Sequence, residues 1–309
     1  MSAAWVAATV RAKSLLDRRV GPVVAARLAA RPNLPSALDE LADTAYRSFL
    51  TQTPDPLGAE RAVNEAVVWN LRVLGGWMPG SGVAMLRVLV ADLEIRDIAD
   101  RLRAISGHEV PAPYGLGALA TCRYAAVEST SISAMRAALA ASAWGDPGTA
   151  DPSCLIEYLR LSAASRRAAV HPDSESWGAA AAALAIARQR FLLGHAPRPV
   201  AVARVRPLLG VRALDAPDWD AFTSALPQST AGWILSGLTD PQQLWMGEQR
   251  WWTRVESDAA TLARSARFDL EPALGYAALL LADAHRVRAA LSAAYRGGRT
   301  SGGDDDASR

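Results

Sequence analysis

Apolar residues recur every three to four positions along nearly the whole chain, and alternating runs of Val, Ile and Thr are rare. That period is helical, so the sequence predicts an all-α protein of helices and turns. The pattern is clearest over residues 83–106. There Leu86, Leu89, Val90, Leu93, Ile98, Leu102 and Ile105 form an apolar stripe, and Glu94, Arg96, Asp97, Asp100, Arg101 and Arg103 take the remaining positions. A second long helix is expected over 271–296, with Pro272 in its first turn, where a missing N–H costs nothing. Leu274, Ala278, Leu281, Leu291 and Tyr295 line one side of it, while Asp283, His285, Arg286, Arg288 and Arg296 make a polar ridge available to a partner.

Between these two stretches the same period marks helices over 153–169 and 176–193, the second so rich in alanine that another backbone can lie close against it. A long helix over 240–266 is expected to bury Leu244, Trp245, Trp252, Val255, Ala259 and Leu262. Clusters of glycine and proline at 111–115, 145–152, 195–199 and 207–210 punctuate the chain. The last residues, 298–309, make a tail too polar and glycine-rich to fold alone.

Composition narrows the function classes. With 309 residues, half of them apolar, the chain has ample material for more than one core. A net charge of +2 lacks the one-sided basic balance of a nucleic-acid binder, although Lys13 is the single lysine and every other base is arginine. No run of 18 apolar residues occurs, and the first 16 residues lack the long apolar stretch of a signal peptide. Cys122 and Cys154 make neither a disulfide framework nor a metal motif, which fits a reducing compartment.

Candidate chemistry is sparse. His108, His171, His195 and His285 lie far apart, with no spacing suited to a metal. The glycines at 75–82 follow a helix and lack the Lys-Ser/Thr of a phosphate loop. No catalytic, cofactor-binding or metal-binding set is therefore expected, and no nucleic acid or small-molecule substrate. One enzyme-like alternative is an all-helical protein with a ligand pocket lined by Trp245, Trp251 and Trp252.

One pattern occurs twice. Glu94-Ile95-Arg96-Asp97-Ile98 with Leu102, and Asp283-Ala284-His285-Arg286-Val287 with Leu291, both read acid, apolar, base, polar, aliphatic, then Leu four residues on. A third copy midway would fall at residues 187–191, where the acid is missing and Arg190-Phe191 remains.

These two segments, with Arg11-Ala12-Lys13-Ser14-Leu15-Leu16 near the start, Ala37-Leu38 through Thr44-Ala45-Tyr46, and Glu271-Pro272-Ala273-Leu274-Gly275-Tyr276, resemble the subunit of V-type and archaeal-type rotary ATPases called C in prokaryotes and d in eukaryotes. In that family the repeated segment reads as an acid, a basic or polar residue, then Asn and an aliphatic. Here Asp97 and Arg286 stand at the Asn positions, the mark of a divergent branch whose Arg- and Ala-rich style suits a high-GC bacterium. The resemblance implies a funnel-shaped assembly of three related helical sub-units, 1–115, 116–210 and 211–297, around a pseudo-threefold axis. It implies a non-catalytic adaptor that passes torque between the central stalk and the membrane rotor ring, for proton or sodium transport. The chain would then be cytoplasmic, peripheral on the cytoplasmic face of the plasma membrane through the ring. The partner-interface residues to expect are Glu94, Arg96, Asp97, Arg101, Asp283, His285, Arg286 and Arg288.

Overall fold

The computed structural model describes residues 3–50 and 55–302, with their side chains as far as 297. No strand occurs among the described residues, and the protein is all-α as the periodicity predicts. In chain order the helices are α1 (Ala3–Leu16), α2 (Gly21–Ala29), α3 (Leu34–Leu41), α4 (Pro56–Gly75), α5 (Gly80–Leu89), α6 (Ala91–Ile105) and α7 (Arg123–Val127). They continue with α8 (Ile132–Ala140), α9 (Pro152–Val170), α10 (Glu175–Ala187), α11 (Pro199–Leu214), α12 (Trp219–Ala225), α13 (Leu244–Leu262) and α14 (Leu270–Gly302).

Several helix starts are written locally. Asn33, Asp55, Ser131, Asp151 and Asp218 each accept the backbone N–H three residues on, capping α3, α4, α8, α9 and α12. Proline opens α3, α4, α9 and α11, where its fixed φ suits the first turn. Two expected helices differ in detail. The stretch 83–106 is split between α5 and α6, because Val90 at φ −89° and ψ 5° leaves helical geometry. The helix expected to stop at 207–210 runs on as α11 to Leu214, carrying Pro207 inside it and a break at Gly210, whose φ of 77° is open to glycine. The tail expected from 298 is helical as far as Gly302, and the rest of it lies outside the described residues.

The chain forms two compact units. One takes the residues up to Gly82 with those from Ala259 onward; the other is Val83–Asp258. The cluster at 111–115 is an extended connection and that at 207–210 a break within α11, both inside the second unit.

In the first unit α14 lies against α1, α2, α3 and α4. Leu28, Leu41, Val63, Leu71, Leu74, Leu274, Val287 and Leu291 are buried together in it, each worth about 1.5–3 kcal/mol in surface removed from water. Gly275 brings α14 onto the backbone of α13's last turn: a Cβ there would meet Ala263 N at 2.5 Å and Ala259 O at 2.6 Å.

The second unit is centred on the pair α9 and α10, with α6, α11 and α12 around it. The alanine face of α10 is buried at Ala179, Ala180, Ala182 and Ala183, and Gly178 sits so close to α9 that a Cβ would lie 2.5 Å from Ala164 O. Small residues therefore allow the backbone approach that the sequence predicts, and Trp144, Tyr158, Trp177 and Phe222 fill the space beyond. No described helix is long and apolar enough to cross a membrane.

Candidate functional site

Glu94 belongs to the first turn of α6, flanked by Leu93 and Ile95. Its position four residues before Ile98 and eight before Leu102 puts it on the buried stripe, and it is 1% exposed. Its carboxylate accepts two successive backbone N–H groups, from Thr121 to Oε2 at 2.8 Å and from Cys122 to Oε1 at 2.6 Å. Cys122 is the residue at the cap of α7, and its own side chain caps nothing. The acid of one helix thus supplies the cap that another lacks, by charge-assisted hydrogen bonds at the positive end of its dipole.

Asp283 does the same in the other unit. It is 2% exposed, four residues before Val287 and eight before Leu291. Its Oδ2 accepts the N–H of Val20 at 3.1 Å and its Oδ1 that of Gly21 at 2.8 Å. Val20 stands at the cap of α2 and again offers no side-chain cap. The Tyr46 hydroxyl points to Asp283 Oδ2 at 3.5 Å, and burial, then the Asp283 charge, push its pKa well above the usual phenol range.

The other expected interface residues are more varied. Asp97, 6% exposed, accepts the N–H of Tyr114 at 3.0 and 3.2 Å and so ties down the extended 111–115 connection. Arg286, three residues after Asp283, sends Nη1 to within 3.6 Å of Asp283 Oδ1. Arg101 donates to the carbonyl of Ser129 at 2.7 Å. Arg288 reaches the Asn64 side chain and lies 4.0 Å from Glu60. His285 is half-buried, and burial followed by the nearby Arg288 and Arg286 hold its pKa down at about 4. Arg96 alone among the eight is exposed. Glu94, Asp97 and Asp283, expected on a surface for partners, instead serve the chain's own backbone, because each lies on the apolar side of its helix.

At the midpoint of the repeat, α10 continues as a π-helical turn, Arg188–Leu192. Arg190 there donates to the carbonyl of Leu214 at 2.9 Å and to that of Ala216, at the approach to α12. Where the acid grips N–H groups in the two outer copies, a base grips carbonyls here. Asp218 caps α12 itself, accepting from Ala221 N–H at 2.8 Å.

The tryptophans divide differently from the expectation. Trp245 is 62% exposed, while Trp251 and Trp252 meet edge to face with ring centres 4.8 Å apart. Trp251 donates its indole N–H to the Trp177 carbonyl at 2.8 Å, and the Arg167 guanidinium stands 5.4 Å from its ring. The pair walls a half-open cleft of about 290 Å³ between α9, α10 and α13. Arg167 pairs with Asp92 across it at 3.0 Å, and Arg188 pairs with Glu248. Sequence spacing had no means of bringing these residues together, because they come from four separate segments.

No grouping of His, Cys, Asp and Glu among the described residues suits a metal ion. No family model matches the chain, and no characterised protein matches it at a significant level.

Proposed function

We propose that this chain is a coupling body of a V-type or archaeal-type rotary ATPase, held between the central stalk and the membrane rotor ring and turning over nothing itself. The observation that carries the reading is the twofold use of one segment. Glu94 and Asp283, in matching frames, each clamp the start of a short helix with a buried carboxylate. Such clamps fix helix ends against long helices, and a body that transmits torque must resist twisting at those joints. Exposed or half-exposed arginines beside the clamps, Arg96 and Arg288 among them, supply charge for polar contacts that hold register with a partner. A funnel of three sub-units about a common axis, and a place on the cytoplasmic face of the plasma membrane, belong to the same proposal.

Co-expression with the stalk and ring subunits of a rotary ATPase from the same organism tests the reading. The chain should co-purify with both and show no ATP hydrolysis alone. A purified chain that binds neither would overturn it.

The cleft walled by Trp251 and Trp252 supports a second reading, a small-molecule site. A metabolite screen by thermal shift separates the two: a saturable stabilisation abolished by Trp252→Ala would favour the ligand site.

A further inference from the structure

One acid in the cleft is unlike its neighbours. Glu157 on α9 lines the cleft at 8% exposed, and its Oε1 is shut off from solvent with no hydrogen-bond partner among the described residues. Desolvation pushes its pKa up, against a smaller opposing effect of Arg198. A buried carboxylate without donors is costly, by about 1–3 kcal/mol or more for a charged group, so an isolated chain gains nothing from keeping it.

The segment around it gives the reason a meaning. Glu157-Tyr158-Leu159-Arg160-Leu161 shares the acid and the polar and aliphatic fourth and fifth places with Glu94 to Ile98 and Asp283 to Val287, with Leu159 in place of the base and Ser165 in place of the Leu four residues on. In both of those, two consecutive main-chain N–H groups at the start of a helix fill the carboxylate. Glu157, like them a buried acid on a long helix, lacks the donors.

We propose that the cleft receives a segment of a partner protein, and that successive main-chain N–H groups at the start of a partner helix fill the Glu157 carboxylate. The charges of the cleft favour such a guest. Asp92, Glu157 and Glu248 balance Arg160, Arg167 and Arg188, so a free anion or cation gains little, whereas a neutral backbone can engage an acid directly. Ala181, Leu184 and the Trp252 ring give the guest's side chains an apolar wall. A carboxylate turns easily about its last torsion, so either oxygen can be presented. The identity of the guest rests on the coupling reading, under which the stalk subunit is the first candidate.

The full-length chain provides the test in two parts. Without any partner, Glu157→Leu should raise the melting temperature by about 2 °C, because it removes an unfilled buried acceptor, whereas Glu94→Leu should lower it. If Glu157→Leu lowers it as Glu94→Leu does, the chain itself satisfies Glu157 and the inference falls. With the rotary-ATPase stalk subunit of the same organism as probe, Glu157→Ala should weaken binding about tenfold and Glu157→Gln less, since the amide keeps one acceptor. In the 19F spectrum of 5-fluorotryptophan-labelled chain, the Trp251 and Trp252 resonances, assigned with Trp251→Phe and Trp252→Phe, should move on binding. Stalk binding that leaves Glu157→Ala and both resonances unaffected would overturn the inference and leave the coupling reading standing. Failure of the unaltered chain to bind stalk or ring would overturn both.

Discussion

The carboxylates of Glu94 and Asp283 perform one task in two different compact units: each accepts two consecutive backbone N–H groups where a short helix begins. Neither of those helices has a capping side chain of its own. The donors come from 27 and 28 residues further along the chain for Glu94, and from the opposite end of the chain for Asp283. Each acid is therefore a tertiary cap, and each joins a long helix to a short one at a point that water does not reach.

Removing either acid should be among the most damaging single changes. Glu94→Ala or Asp283→Ala deletes two charge-assisted hydrogen bonds and orphans two buried N–H groups, a loss of about 3 kcal/mol. Glu94→Gln and Asp283→Asn keep one acceptor and should cost about half as much. Urea unfolding followed by far-UV circular dichroism reads both, and an effect below about 1 kcal/mol for the alanine variants would show that the caps are not structural.

Gly178 and Gly275 should not tolerate alanine. In an open helix the exchange would help by about 1 kcal/mol. Here the added Cβ would fall within 2.6 Å of the neighbouring backbone, so helices must separate, at a cost of about 1–3 kcal/mol. A net drop in melting temperature is expected for both, and a rise would mean that the crossings are looser than described.

His285 makes stability depend on pH. Its folded pKa of about 4 lies below the ordinary imidazole value of 6.5, so between those values the unfolded chain binds more protons. Stability is unaffected by this group above 6.5 and falls as the pH drops through the window, by roughly 3 kcal/mol in all. Urea midpoints measured from pH 7 to pH 4 should decline less steeply in His285→Phe than in the unaltered chain. Parallel declines would assign the acid sensitivity to other groups.

Arg96 and Arg101 separate surface from scaffold. Arg96 is exposed, so Arg96→Glu should change stability by about 0.5 kcal/mol or less while weakening assembly with stalk or ring. Arg101 holds the Ser129 carbonyl, and Arg101→Glu should cost about 1 kcal/mol of stability. Pull-downs paired with thermal melts check both. Assembly unchanged in Arg96→Glu would remove that residue from the interface.

Part of the two caps was legible beforehand. Glu94 stands four residues from Ile98 and eight from Leu102, as Asp283 does from Val287 and Leu291, so spacing alone puts both acids on the apolar side. Reading them as a polar ridge gave charge priority over register. A charged residue within an apolar stripe signals a buried partner, yet nothing local names the partner when it lies 28 or 263 residues away.

What the sequence determined by itself was local: helices throughout, the capped starts at Asn33, Asp55, Asp151 and Asp218, and the small-residue face of α10. Each follows from period, side-chain size or a hydrogen bond three residues long, and needs no distant neighbour. Tertiary structure decided that the chain ends share one core, that three acids turn inward, that Trp245 stays in water while Trp251 and Trp252 wall a cleft, and that Glu157 lacks a donor. Those outcomes depend on which helix lies against which, and the burial of apolar surface that selects among packings carries no direction along the chain.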